Sequence, residues 1–402
     1  MRDLQVKTKR DYKIEDLVSV GGRLNNLKRP YIYINPLQGK HLATPPKEVY
    51  SLCKAMAQKL EEEYRGELLL VVGFAETATA LGLWTASLAS EVAIYSAQTT
   101  REDIEGGHPL YFTESHSHAP KQCIDIDEWD VVLPHVNRVV FVEDEVTTGS
   151  TILKAIEAIK GAFPRYKVEF SVISILNSMS EERLEELNKG GIPFYYIKHI
   201  PMEYKVGTLN DLDTVPAKLG GKYYTSEEQS IIDFYAPHCS KIPYYPAGRQ
   251  YKDSRKIQST KDYKERCRVF VREASKYCKE ALTGVPGQRV LVIGTEEFMY
   301  PPLLLAYELE KLYKAEVHFQ ATTRSPIQAA TNAGYPIHKR YWLKSLYDMA
   351  RDTYLYNLEK YAVVFIVTDS KAISKRAHDS LVEALIQVGN RNIHTIIWEA
   401  EQ

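Results

Sequence analysis

Val139-Val140-Phe141-Val142-Glu143-Asp144-Glu145-Val146-Thr147-Thr148-Gly149-Ser150-Thr151 passes from an apolar run through three acids into a turn of hydroxyls around one glycine. The apolar run predicts a buried strand, and a helix begins near Ile152. A tight loop at a helix N-terminus is an anion cradle, because its N–H groups point at a phosphate and the helix dipole favours the charge. Gly149 permits close backbone approach, while Thr147, Thr148, Ser150 and Thr151 add hydroxyl hydrogen bonds. Glu143 and Asp144 cannot bind phosphate; they are placed to accept hydrogen bonds from sugar hydroxyls. Together these groups describe a pocket for ribose 5-phosphate. The bland reading is an acidic strand end followed by a Ser/Thr helix cap, and the density of matching groups counts against it.

Working outward, the pattern is α/β. Strands are expected at Leu68–Val72, Val92–Tyr95, Val168–Leu176 and Phe194–Ile200, with helices around Pro46–Tyr64, Thr77–Ala89, Ser150–Gly161 and Ser180–Lys189. This alternation predicts a parallel sheet flanked by helices. Ser178 with Glu181 and Thr225 with Glu228 have capping-box spacing. The aperiodic, proline-containing stretch Ala236–Ser259 reads as an interdomain connection, giving domains at 1–240 and 260–402. Behind it the expected elements are a helix Tyr263–Ala281, a strand Arg289–Ile293, a helix Pro302–Tyr313 and a strand Glu316–Phe319. A helix Tyr341–Lys360, a strand Val363–Val367, a helix Ser374–Val388 and a strand Ile393–Trp398 complete it. The two halves align: Gly73 to Arg101 is 28 residues and Gly294 to Arg324 is 30, each ending in Thr-Thr-Arg. Arg101 to Asp144 is 43 residues and Arg324 to Asp369 is 45, so the second α/β domain reads as a diverged copy of the first.

The chain has 402 residues, 44% hydrophobic and 26% charged, with Lys+Arg 51 against Asp+Glu 52. A formal net charge of −1 supplies no bulk attraction to nucleic acid or to an anionic membrane. No apolar run approaches the ~20 residues that span a bilayer. The basic N-terminus has no apolar segment behind it, and the five cysteines form no CxxC pair. The expectation is a cytoplasmic protein with reduced thiols.

The segment 139–151 resembles the phosphoribosyl-pyrophosphate signature of type I phosphoribosyltransferases, the group that includes the orotate enzymes. The resemblance implies that Glu143 and Asp144 take the ribose hydroxyls and, through them, organise the Mg2+-bound substrate, with Asp144 on the metal side. It implies that Thr147, Thr148, Gly149, Ser150 and Thr151 take the 5′-phosphate. Glu145 departs from the family pattern, where that position is apolar or small; it reads either as a general base or as a solvent-facing acid. A second family element, the pyrophosphate loop, falls on Gly73, Phe74, Ala75, Glu76 and Thr77, where Glu76 reaches magnesium or a hydroxyl or simply satisfies a helix dipole. A third, a loop closing over the reaction, falls on Tyr95–Gln122 with Arg101, His116, His118 and Lys121; a plain solvated loop is the alternative. Arg101 is favoured because Thr99-Thr100-Arg101 ends a strand at the sheet's carboxyl edge. His116 and His118 alone make no complete metal site. The hood over the base would be Gly21–Pro45, with Arg23, Asn25, Asn26, Lys28, Arg29, Lys40 and His41 as candidates.

The Asn-Asn-x-Lys-Arg segment in front and Thr323-Arg324-Ser325-Pro326 behind are similar to one two-domain family: phosphoribosyltransferases with a C-terminal Thr-Arg-Ser-Pro (TRSP) domain, found with bacterial tellurium-resistance and stress-response operons. That resemblance implies a Mg2+-dependent transfer of ribose 5-phosphate from phosphoribosyl pyrophosphate to a nitrogen of a base-like acceptor, in the making of a nucleoside-like metabolite by a homodimer. A non-catalytic phosphoribosyl-pyrophosphate or nucleotide-binding regulator is the alternative. In the second half the counterpart loop, Val367–Ser374, lacks the glycine and the second carboxylate, so it is not expected to hold phosphoribosyl pyrophosphate. Thr295, Arg324, Ser325 and Ser374 remain for another phosphorylated ligand, with Arg324 equally suited to a structural salt bridge.

Overall fold

The apolar runs of each half become the central strands of a separate parallel sheet. The computed structural model describes residues 3–24, 26, 29–104, 106–112, 121–219, 225–235, 239–243, 253–282, 287–313 and 315–399. Two compact units result: Met1–Ile14, Tyr50–Tyr204 and Lys252–Glu265 form the first, and Glu15–Val49, Lys205–Tyr251 and Arg266–Gln402 the second. Among the described residues no helix is long and apolar enough to cross a membrane.

The first unit contains β1 (Leu69–Gly73), α1 (Thr79–Leu88), β2 (Ala93–Gln98), β3 (Arg138–Val146), α2 (Ser150–Ala162), β4 (Glu169–Asn177), α3 (Glu181–Lys189) and β5 (Phe194–His199). The strands run parallel in the order β2-β1-β3-β4-β5, and Gln258–Ser259 adds an antiparallel edge to β2. Leu69 to Val72 and Val139 to Val142 are wholly buried, which is why these stretches read as continuous apolar runs. Helix α2 buries Ile152, Ala155, Ile156 and Ile159, one face at helical spacing. The cap of α3 is Ser180, whose hydroxyl accepts the Arg183 N–H, and not Ser178. The Ser178 N–H is already given to the Val146 carbonyl, which keeps that residue in the strand-end loop.

From β1 the chain moves to β2 on one side and then crosses back to β3 on the other. The order therefore reverses between β1 and β3, which makes their carboxyl ends the topological switch point where open α/β sheets bind ligands.

The second unit contains α4 (Ser226–Tyr235), β6 (Cys239–Pro243), β7 (Arg289–Gly294), α5 (Tyr300–Tyr313), β8 (Glu316–Ala321), β9 (Arg340–Lys344), β10 (Asp352–Tyr356), β11 (Val363–Thr368), α6 (Lys375–Gln387) and β12 (Ile393–Glu399). Its parallel sheet has the order β8-β7-β11-β12-β6. Four strands thus repeat the arrangement of the first unit. The fifth differs, since β6 precedes the other four in the chain whereas β5 follows its partners. The Thr225–Glu228 box closes as expected: the Thr225 N–H reaches Glu228 at 2.9 Å and the Glu228 N–H reaches Thr225 Oγ1 at 3.2 Å.

The helix expected at Tyr341–Lys360 is instead the antiparallel hairpin β9–β10. Burial alternates along Arg340–Lys344, and aromatic and β-branched residues that suit a pleated surface crowd both strands. The compact units also cut across the expected boundary near 240–260, because residues 15–49 pack with the C-terminal half. Ser19–Gly22 pairs with Tyr31–Ile34, and the Gly22 N–H donates to the Tyr335 hydroxyl at 2.9 Å. Lys40 is 1% exposed and gives its ammonium to the carbonyls of Glu296 and Thr322, at 2.7 and 3.0 Å. It is a structural cation of the second unit. Arg23, Asn26, Arg29 and His41 lie in the same stretch, whereas Asn25 and Lys28 lie outside the described residues.

Candidate active site

β3 stays extended through Glu143, Asp144 and Glu145 to Val146, four residues beyond the expected strand end. Pairing of Glu143 with Ser174 and of Glu145 with Leu176 in β4 holds the acids in the sheet. All three are partly exposed at its carboxyl edge. The Asp144 N–H donates to Glu143 Oε1 at 3.1 Å. Desolvation by the surrounding protein pushes the Glu143 carboxyl well above its usual range, and Asp144 beside it pushes further.

Past Val146 the chain turns. Gly149 adopts φ +70°, and a Cβ there would lie 3.3 Å from the Phe194 ring in a conformation side chains resist, so glycine is required twice over. It is the N-cap of α2 and, having no side chain, leaves the helix end without a side-chain cap. The Thr148 and Ser150 hydroxyls lie 2.8 Å apart, and the Ser150 N–H reaches Thr148 Oγ1 at 3.3 Å. Thr148, Ser150 and Thr151 are exposed and Thr147 half-buried. The turn thus places exposed hydroxyls at the N-terminus of α2, where the helix dipole favours an anion.

Across the switch point, the end of β1 leads into Phe74-Ala75-Glu76-Thr77. The Phe74 N–H donates to the Val142 carbonyl at 2.9 Å, and its ring packs edge-on against Phe141. The Ala75–Glu76 peptide is cis. Glu76 is buried, Thr77 half-buried. Gly73 has a reason other than a ligand: a Cβ on Gly82 would sit 2.4 Å from Gly73 Cα, so the two glycines let α1 lie directly on β1. Two residues missed by the sequence reading hold this turn. Thr99 Oγ1 accepts the Ala75 N–H at 2.8 Å, and the Gln122 amide donates to the Ala75 carbonyl at 2.9 Å. Thr99 was visible only as a neighbour of Arg101; Gln122, alone in a polar run, gave no signal.

Arg101 follows β2 at the same edge, just after the buried Thr99 and Thr100. Lys121 lies with its ammonium 5.5 Å from the Tyr111 ring centre. His116 and His118 lie outside the described residues. The structure therefore gathers the acids, the hydroxyl turn, the Phe74–Thr77 turn and Arg101 on one sheet edge. Chemically, this edge offers exposed hydroxyls at a helix N-terminus and two adjacent carboxyls, beside turns from neighbouring strands.

The corresponding edge of the second unit is filled by its own side chains. Glu296 meets Arg324 Nε at 2.7 Å and Arg351 Nε at 3.0 Å, and accepts the Ser345 hydroxyl. Tyr347 bridges Thr295 Oγ1 and Asp369 Oδ1 at 2.7 and 2.6 Å. Ser374 caps α6, its hydroxyl accepting the Ala377 N–H. Arg324 is thus in the structural salt bridge.

Residues 17–193 match the family model described as phosphoribosyl transferase, and residues 258–385 match the TRSP domain described as C-terminal to that transferase. No curated protein matches the chain. Among solved structures, it is similar to the adenine phosphoribosyltransferase of Giardia lamblia complexed with 9-deazaadenine, at 16% identity over 46% of this chain and 94% of that one, TM-score 0.33. It is similar to the orotate phosphoribosyltransferase of Aeropyrum pernix at 16% identity over 48% and 94%, TM-score 0.30. A hypoxanthine phosphoribosyltransferase of Staphylococcus aureus gives 15% over 41% and 79%, TM-score 0.24.

Proposed function

With residues 17–193 belonging to the phosphoribosyl transferase family and residues 258–385 to its TRSP domain, we propose that the first unit moves ribose 5-phosphate from phosphoribosyl pyrophosphate to a nitrogen of a base-like acceptor, releasing pyrophosphate. The observation that carries this reading is the exposed hydroxyl turn at the N-terminus of α2, where Gly149 supplies no side-chain cap, next to the Glu143–Asp144 pair. In it, Thr147, Thr148, Ser150 and Thr151 and the first N–H groups of α2 bind the 5′-phosphate. Glu143 and Asp144 accept the ribose hydroxyls and orient C1. Glu145 stands one position further along β3 as the candidate base for the attacking nitrogen. The Phe74–Thr77 turn and Arg101 receive the departing pyrophosphate.

Mg2+ fits this site: two adjacent carboxyls are hard oxygen donors whose mutual repulsion a divalent cation relieves, and such sites share the ion with substrate phosphates. Asp144, with Glu143, would hold it, and its charge would neutralise the leaving pyrophosphate. The residues themselves position both partners and stabilise charge as the C1–O bond lengthens toward an oxocarbenium-like state. The product belongs to nucleoside-like metabolism, and we extend the proposal to a cytoplasmic homodimer.

A pyrophosphate-release assay over a panel of nitrogenous bases tests the reading. Turnover with at least one base, abolished by Asp144→Asn and Thr147→Ala, is the expected result. The buried Glu76 in the pyrophosphate turn favours a second reading, a sensor that binds without turnover. Tight binding with no product from any base would favour that sensor.

A further inference from the structure

Arg255 lies between the two family matches, 17–193 and 258–385, in the stretch that reads as a connection. It nevertheless belongs to the first unit and is 6% exposed. Its Nε donates to Thr100 Oγ1 at 3.2 Å, and its Nη1 donates to the Asp253 carboxylate at 3.0 and 3.1 Å. The contact is braced on both sides. Gln258 and Ser259 pair with Ser96 and Tyr95 of β2, and Lys256 Nζ donates to the Gly106 carbonyl at 3.2 Å. The Thr100 hydroxyl also accepts the Glu102 N–H at 2.9 Å, so one oxygen ties Arg255 to both sides of Arg101.

Thr100 also connects to the neighbouring turn at the end of β1. Its N–H donates to the Cys123 carbonyl at 2.8 Å, and the Cys123 N–H returns to the Thr100 carbonyl at 3.0 Å. The adjoining Gln122 amide donates to the Ala75 carbonyl at 2.9 Å and lies 3.2 Å from Thr99 Oγ1, which itself accepts the Ala75 N–H. A continuous ladder therefore runs from the guanidinium through Thr100 and Cys123–Gln122 to the peptide unit of Ala75.

We propose that Arg255 is a positioning residue for the pyrophosphate half of the site, an inference that rests on the phosphoribosyl-transfer reading. Its charge is matched by Asp253, so it acts through geometry: it fixes where Arg101 and the Phe74–Thr77 turn stand before ligand arrives. A planar guanidinium can serve Thr100 and Asp253 from different nitrogens at once, which a lysine ammonium on a flexible stem does not reproduce. Buried hydrogen bonds of charged donors are strong enough for their loss to be read in affinity.

The test uses the full chain and calorimetric titration with three probes in the presence of Mg2+: phosphoribosyl pyrophosphate, inorganic pyrophosphate and ribose 5-phosphate. Arg255→Ala and Thr100→Val should each weaken pyrophosphate and phosphoribosyl pyrophosphate by about tenfold. Ribose 5-phosphate should stay within about twofold of wild type, and the double variant should lose little more than either single one. Arg255→Lys should not restore the affinity. Should Arg255→Ala fail to fold, Thr100→Val carries the same comparison. Unchanged pyrophosphate affinity in both variants, or an equal loss for ribose 5-phosphate, overturns the role of Arg255 and leaves the transfer reading standing. A wild-type chain that binds none of the probes overturns both.

Discussion

Under the proposed function, Glu143 shows what a ligand-binding role costs a single residue. Desolvation first, and then Asp144, hold its carboxyl well above the ordinary 4.5. The folded chain therefore keeps this proton more tightly than the unfolded chain does, so stability is lost as pH rises from 4.5 through the raised folded value. Glu143→Gln removes the charge while keeping the shape. In metal-free buffer its Tm should exceed that of wild type by a few degrees near neutral pH, about what 1 kcal/mol produces. The gap should close toward about pH 4, where the carboxyl is protonated in both states. Affinity for phosphoribosyl pyrophosphate should fall at the same time, the usual trade between stability and function. Identical melting of the two proteins at neutral pH would contradict the account. Gly149 was legible as a lone glycine among hydroxyls at a helix start, and the structure adds that it holds φ +70°, which side chains rarely adopt.

Two helix N-termini separate an open element from a closed one. Helix α2 starts at a glycine without a side-chain cap, whereas α6 starts at Ser374, whose hydroxyl takes the Ala377 N–H. Ser374→Ala should lower stability by about 1 kcal/mol, the usual worth of such a cap, and leave phosphoribosyl-pyrophosphate binding untouched. A thermal melt paired with a titration checks both halves, and a loss of binding would contradict the assignment of the site to α2. Most central elements were legible because burial on both faces writes a strand as an unbroken apolar run, as in Leu69–Val72 and Val363–Val367. The β9–β10 hairpin was not. The hairpin β9–β10 carries a period of two within a stretch whose length suggests a helix, and its pairing partner lies in the sequence itself only after a turn. The placement of Lys40 against Glu296 and Thr322 depends on contacts across 256 and 282 positions, which no local pattern records.

At the scale of the molecule, two sheets share the strand order of four parallel strands, and their carboxyl edges are spent differently. The first leaves hydroxyls and carboxyls facing outward around the switch point. In the second, the Glu296–Arg324–Arg351 network and the Thr295–Tyr347–Asp369 chain satisfy one another. The internal Thr-Thr-Arg match announced the shared arrangement. The different use of the two edges could not be read there, because the closing residues Ser345, Tyr347 and Arg351 come from the hairpin region that the sequence misplaced. Activated-sugar binding is therefore proposed for one unit alone. Titration of the full chain with the magnesium form of phosphoribosyl pyrophosphate tests this most directly. One site per chain is expected, lost in Asp144→Asn and retained in Arg324→Lys; no heat at all, or two equivalent sites per chain, would contradict it.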